Sequence, residues 1–215
     1  MQLAAVGLII AALLAAVGLH FALDASRSRA WSGTARSLGL VYSSRESGLG
    51  TFGSFRACRV GEDHLRCHLW RGHIGPADVA LAVLEHCEVV SNERRTWRHT
   101  ACLIDSPQLS LAPFFARPQR VLDRLGTLLG GQDIGFPDDA SFSQAYLLQG
   151  PEEKAIRARF DAASRLWFTE RASQQLICEG SGRALLLVAP RGLAAREARQ
   201  LLQTALDLAG RWSTP

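Results

Sequence analysis

The sequence predicts an α+β protein: an N-terminal transmembrane helix, then an antiparallel β-meander, then a β-α-β-β-α unit with its helices on one face of the sheet. Three observations carry that expectation. Residues Leu3 to Leu23 contain no charged side chain; residues 55–111 alternate apolar and polar at period two; and the second half shifts to apolar residues at helical spacing.

The first segment is the plainest. A helix rising 1.5 Å per residue covers roughly 31 Å over Leu3–Leu23, close to the roughly 30 Å hydrocarbon thickness of a bilayer. No Lys or Arg precedes the apolar run and no Ala-x-Ala site follows it, so the sequence favours a retained anchor (residues 1–23) over a cleaved signal peptide. Arg27, Arg29, Arg36 and Arg45 all follow the span, which puts the soluble part on the cytoplasmic side of a bacterial inner membrane. Five cysteines, Cys58, Cys67, Cys87, Cys102 and Cys178, are odd in number and without regular spacing, as expected of reduced thiols. Gly7, Ala11 and Ala15 make a small-residue seam through which two anchors could pair as a homodimer.

Residues 24–54 read as a short juxtamembrane helix followed by a Gly/Ser-rich linker, "SSRESGLGTFGS". The soluble α+β domain is expected over 55–215, with lobes at 55–112 and 118–215. Strands are expected at "FRACRV", "HLRCHLW", "DVALAVLEHCEVV" and "TWRHTACLI", with "SLAPFFARP" as an extended connection whose phenylalanines cover the sheet. Pro118 then opens a helix carrying Leu122, Leu125 and Leu129 and closing at Gly130. A short strand at "AYLLQG" comes next. A single helix over "GPEEKAIRARFDAASRLWFTE" should bury Ile156, Phe160, Ala163 and Trp167. A hairpin follows, turning at Gly180–Gly182. The closing helix should bury Ala198, Leu201, Leu202, Ala205 and Ala209.

Composition narrows function mainly by exclusion. A net charge of +4 on 215 residues argues against a nucleic-acid partner, and 23 arginines against the single Lys154 reflect composition more simply than a phosphate-binding role. No nucleophile elbow, phosphate loop, zinc-protease motif or dinucleotide fingerprint is present. No cofactor is predicted.

Three clusters are candidate sites. Asp133, Asp138 and Asp139 lie in a Gly- and Pro-punctuated loop; their spacing lacks the alternating ligands and closing Glu of a calcium loop. Mechanical use is favoured, with Asp138 or Asp139 capping the helix "ASFSQAY", and partner recognition is the functional alternative. Arg94, Arg95, Trp97 and Arg98 form a basic run able to meet anionic head groups or stack on bases; a solvated hairpin tip is the blander account. Cys67, His64, His99 and Cys102 have suggestive His-x2-Cys spacing, but partners three apart on a strand face opposite ways, so metal binding would need a bulge. The cysteines read as small buried hydrophobes.

With those residues in view, "LAPFFARPQ" (111–119), "GGQDIGFPDDASFSQAYLLQG" (130–150) and "ICEGSGRALLLVAP" (177–190) resemble a family of uncharacterised bacterial single-span membrane proteins with a soluble α+β domain. Members carry an Asp-aromatic strand where this chain has "ALAVLEHC" (80–87). The resemblance implies the domain plan and transfers no catalytic residue. The functional expectation is a non-catalytic binding or assembly module, held to the bilayer through residues 3–23 and serving an unknown protein partner. A metal- or thiol-dependent enzyme using the cluster between residues 58 and 102 is the alternative.

Overall fold

The computed structural model describes residues 2–91, 93–119 and 134–213, and within these leaves the side chains of residues 2–12, 90 and 94 undescribed. Helix α1 spans Gln2–Ser37 without a break. The juxtamembrane helix predicted after residue 23 is therefore the continuation of the apolar one. Among the described residues no helix is long and apolar enough to cross a membrane.

A tight turn at Gly39 (φ +71°) leads into β1 (Val41–Ser47), so the stretch expected as linker is an edge strand. Its Ser and Arg content hid it, because an edge strand exposed along most of its length needs few apolar residues. Two 3-10 turns (Gly50–Ser54 and Arg56–Cys58) precede β2 (Glu62–Ile74), β3 (Ala77–Val90), β4 (Glu93–Asp105) and β5 (Leu111–Pro118). The chain continues through α2 (Ala140–Ala145), β6 (Tyr146–Gln149), α3 (Glu153–Arg159), α4 (Ala162–Glu170), β7 (Ile177–Gly182), β8 (Ala184–Ala189) and α5 (Ala195–Trp212). The helix expected over residues 118–129 lies outside the described residues.

All eight strands join one antiparallel sheet in the order β1-β2-β3-β4-β8-β7-β5-β6. The fold class is α+β. "LAPFFARP" is β5, an interior strand paired with both β6 and β7, not a connection. Pro113 and Pro118 disguised it, yet strand prolines are tolerated at an irregularity or an end, and the β5–β7 register shifts between Leu111 and Phe114.

The predicted helix over 150–170 is two helices. Asp161 accepts the Ser164 amide at 2.8 Å and caps α4, which resets the helical phase. Ile156, Phe160 and Trp167 are buried as expected, but Ala163 is exposed, and Ser164, Arg165 and Phe168 take the inward positions.

One sheet face carries the larger core, with Leu81, Val83, Ile104, Leu185 and Leu187 packed against Ala198, Leu201, Leu202, Ala205 and Ala209 of α5. At the β5 end an aromatic group closes it: Phe114, Phe142, Tyr146, Phe160, Phe168 and Trp212, with ring centroids 5.1–6.2 Å apart. Gly180 makes room, because a Cβ there would sit 2.4 Å from Phe114 Cε1. The opposite face carries a smaller core, in which Phe52, Phe55 and Cys58 of the 3-10 turns cover Leu69, Ala82, Leu84, Ala101 and Leu186. Glu179 fastens this cover by accepting the Arg56 and Ala57 amides at 3.0 and 2.9 Å.

Candidate functional site

A buried joint with polar and aromatic contacts holds α1 to the sheet. Trp31 is completely buried, and its carbonyl oxygen accepts the Trp70 indole N–H at 3.1 Å. Its ring stacks on His68 at 5.1 Å, and Tyr42 Oη and His68 Nδ1 share a hydrogen bond of 2.9 Å. A bulge between Cys67 and Trp70 makes this arrangement, giving His68 a φ of +52°. Burial, then the neighbouring Arg27, lowers the His68 pKa, which suits a neutral imidazole stacked against an indole. Ala35 and Leu40 complete the joint. Between α1 and β1, Ser28, Arg29, Ser32, Gly33, Arg36 and Tyr42 line an open groove of about 390 Å³.

Beyond that joint the character of α1 changes. Leu13, Leu14, Val17, Leu19, Phe21 and Leu23 are 52–68% exposed and point in all directions around the helix. No other described element covers them.

The described part of the carboxylate loop has a structural use. Asp139 Oδ1 accepts the Phe142 amide at 3.0 Å and caps α2, while its Oδ2 receives Arg165 Nε at 2.9 Å. Arg165 Nη2 reaches Asp138 Oδ2 at 2.8 Å, Nη1 donates to the Phe160 carbonyl at 3.0 Å, and the guanidinium lies 4.4 Å over the Phe136 ring. The Phe142 amide, then Arg165, holds the Asp139 carboxyl below its usual range. Asp133 lies outside the described residues. Sequence reasoning found the cap but not Arg165, which is 26 residues away from Asp139.

The basic run does not form one surface. Strand alternation puts Trp97 and Arg95 on the face of the smaller core and Arg98 on the other. Arg95 pairs with Glu93 at 3.1 Å and Arg98 with Glu85 at 2.8 Å. The side chain of Arg94 is not described.

The Cys/His cluster also divides. Cys102 is buried in the larger core and Cys67 packs against it. His64 and His99 are instead linked through His86, with ring centroids 6.1 and 5.3 Å apart, on three neighbouring strands. A His trio replaces the mixed quartet, and the bulge between Glu62 and Leu65 accompanies it. His64 Nε2 lies 3.0 Å from the Val60 carbonyl oxygen. Burial lowers the His99 pKa to about 4, with His86 and His64 adding to the effect. Among the described residues no group of three or more His, Cys, Asp or Glu side chains is arranged to hold a metal ion. Burial raises the Cys58, Cys102 and Cys178 thiols well above their ordinary range, which keeps them protonated and poorly nucleophilic.

Comparison with known proteins adds one fold-level likeness. No protein family and no curated protein matches the chain. Among solved structures, the chain is similar to the mycobacterial trehalose monomycolate transport factor A, TtfA, with a TM-score of 0.53 and 12% identity, covering 88% of this chain and 98% of that one. At that identity the likeness is one of fold.

Proposed function

We propose that the chain is a non-catalytic binding or assembly module tethered to the bacterial inner membrane through α1, with residues 38–213 on the cytoplasmic side. The observation that carries this reading is the two-part character of α1. Its Trp31 end is locked into the sheet, while the turns from Leu13 to Leu23 expose apolar side chains all round. A helix apolar on every side needs an apolar surround, and nothing among the described residues supplies one. In sequence, the uncharged run Leu3–Leu23 has a length suited to a bilayer. The arginines beyond residue 23 set the orientation.

The neighbour of shared fold is named as a transport factor rather than for a reaction, which is in keeping with an accessory role. The protonated buried thiols and the structural use of Asp138 and Asp139 give an enzymatic reading little to work with. Confinement to a surface raises the effective concentration of a module toward partners in the same membrane without any added contact.

Fractionation tests the tether. The full chain should sediment with membranes and resist carbonate extraction, and a chain lacking residues 2–23 should appear in the soluble fraction. A full chain released by carbonate would overturn the reading.

A further inference from the structure

The sheet has two edges, β1 and β6. At β6 the chain itself comes alongside, Ile134 donating its amide to the Leu148 carbonyl oxygen at 2.7 Å. β1 pairs with β2 alone, in a single register from Val41↔Arg71 to Ser47↔Leu65, and no described strand lies along its outer side. It is seven residues long and has no proline and no bulge against β2, two of the devices that blunt an exposed edge. Its outward N–H and C=O groups therefore form a template for one more strand.

The groove between α1 and β1 adjoins that edge. Arg29 and Arg36 line it, both exposed, with the half-buried Ser28, Ser32 and Tyr42. Seven residues apart, the two arginines stand two turns from each other on one side of α1, roughly 10.5 Å along its axis. Among the described residues no ion pair engages either guanidinium, and the carboxylate that β1 itself supplies, Glu46, is already held by Arg66 at 3.0 Å and by Arg71. Arg45 adds a further exposed cation on β1. A guanidinium presents a fork of donors that matches a carboxylate. Alternate residues of a strand face the same way and stand roughly 6.6 Å apart. A strand laid along β1 thus turns every second side chain toward the α1 side, at a spacing two long arginines can meet.

A second copy of this chain does not suit the edge. β1 returns along α1 from the Gly39 turn, with Tyr42 beside Ser28 and Arg29. Joining two copies of β1 antiparallel about a two-fold axis would turn one α1 end for end relative to the other. Two anchors pointing in opposite directions cannot enter one bilayer from the same side.

We propose that the open edge of β1 is the docking site for an extended acidic segment of a partner protein, which adds a strand to the sheet and sets carboxylates in the α1–β1 groove against Arg29 and Arg36. The inference rests on the tethered-module reading and gives the partner a chemistry. Main-chain hydrogen bonds along β1 would supply affinity, and the groove the preference for alternate acidic side chains.

Three fluorescein-labelled peptides test it by anisotropy against the full chain in phosphatidylcholine nanodiscs: Thr-Glu-Val-Glu-Val-Glu-Thr, its counterpart with Lys for Glu, and the acidic peptide N-methylated at two adjacent central residues so that neither edge can pair. The acidic peptide should bind at least about tenfold more tightly than the other two, and Arg29→Ala/Arg36→Ala, at two exposed positions, should abolish the preference for Glu over Lys. Equal binding of the N-methylated peptide would overturn the added strand, and an unchanged charge preference in the double variant would overturn the groove. A chain that resists carbonate extraction yet binds none of the peptides would overturn the docking site and leave the tethered module standing. Ser44→Cys, at the middle of β1 in a Cys67→Ser/Cys87→Ser background, should not cross-link two copies; an efficient disulfide there would give the edge to a second copy and overturn the proposal.

Discussion

Trp70 donates its indole N–H to the carbonyl oxygen of Trp31, so a strand in the sheet holds the backbone of the N-terminal helix directly. The bond is buried and the Trp31 ring is wedged between His68 and Trp70. Trp70→Phe removes the donor and should cost about 1–2 kcal/mol, the range for a buried hydrogen bond whose acceptor is left unpaired. Trp31→Ala should cost about 3–5 kcal/mol through lost packing. Thermal melts of the full chain in detergent check both. Equal, negligible losses would mean that the helix is not held through this joint.

Arg165 joins α2 to α4 through Asp138 and Asp139. Asp139→Ala removes a helix cap and an ion-pair partner together and should cost about 2 kcal/mol, whereas Asp138→Ala, at a carboxylate that is 70% exposed, should cost under about 0.5 kcal/mol. Because the folded pKa of Asp139 is lowered, its contribution is present above the unfolded carboxylate pKa and is lost as pH falls through the folded value. Asp139→Ala should therefore narrow the stability gap from wild type under acid conditions. A gap that stays constant down to pH 2 would show that the ionised carboxylate is not what stabilises the loop.

His99 titrates in the opposite chemical sense but with the same consequence. Its pKa falls from about 6.5 in an unfolded chain to about 4 in the fold, so the unfolded state binds the proton first as pH drops. Stability due to this group is complete above about pH 6.5 and is lost between there and about pH 4, on the order of 2–3 kcal/mol. His99→Asn should flatten that part of the stability profile in urea titrations at pH 7, 6 and 5. An unchanged profile would place the acid sensitivity elsewhere.

Gly180 lies against Phe114 in the middle of the aromatic group. Gly180→Ala should cost about 1–3 kcal/mol, because its methyl group would meet the ring at 2.4 Å and the ring is hemmed in by Phe160 and Trp212. Phe114→Leu in the same chain should recover part of the loss, which a double-mutant comparison would read.

The sequence was most legible where period and burial agree. In α5 the residues expected on one face, Ala198, Leu201, Leu202, Ala205 and Ala209, are all buried. It was least legible at strands whose composition belongs to loops. β1 is polar because it is an edge, and β5 holds two prolines because its pairing is interrupted. The Asp139 cap was visible as an Asp before a short helix. Arg165 was not, since nothing in local spacing says which distant guanidinium will fill a loop. The histidines and cysteines were seen as one cluster, and strand alternation divides it as the spacing implied, with His99 and Cys102, three apart on β4, on opposite faces.

The strand order carries a consequence for synthesis. β4 pairs with β8, and everything from Ser106 to Gly182 intervenes before β8 begins. At roughly 5–20 residues per second the ribosome needs on the order of 4–17 s to deliver β8 after β4. During that interval the nascent chain presents the open edge of β4, with Ala101 and Leu103 unclothed on one face and Cys102 and Ile104 on the other. The sheet is closed from its centre by the last strands made, so the interval of exposure lengthens as translation slows and ends only when nearly the whole chain has been synthesised.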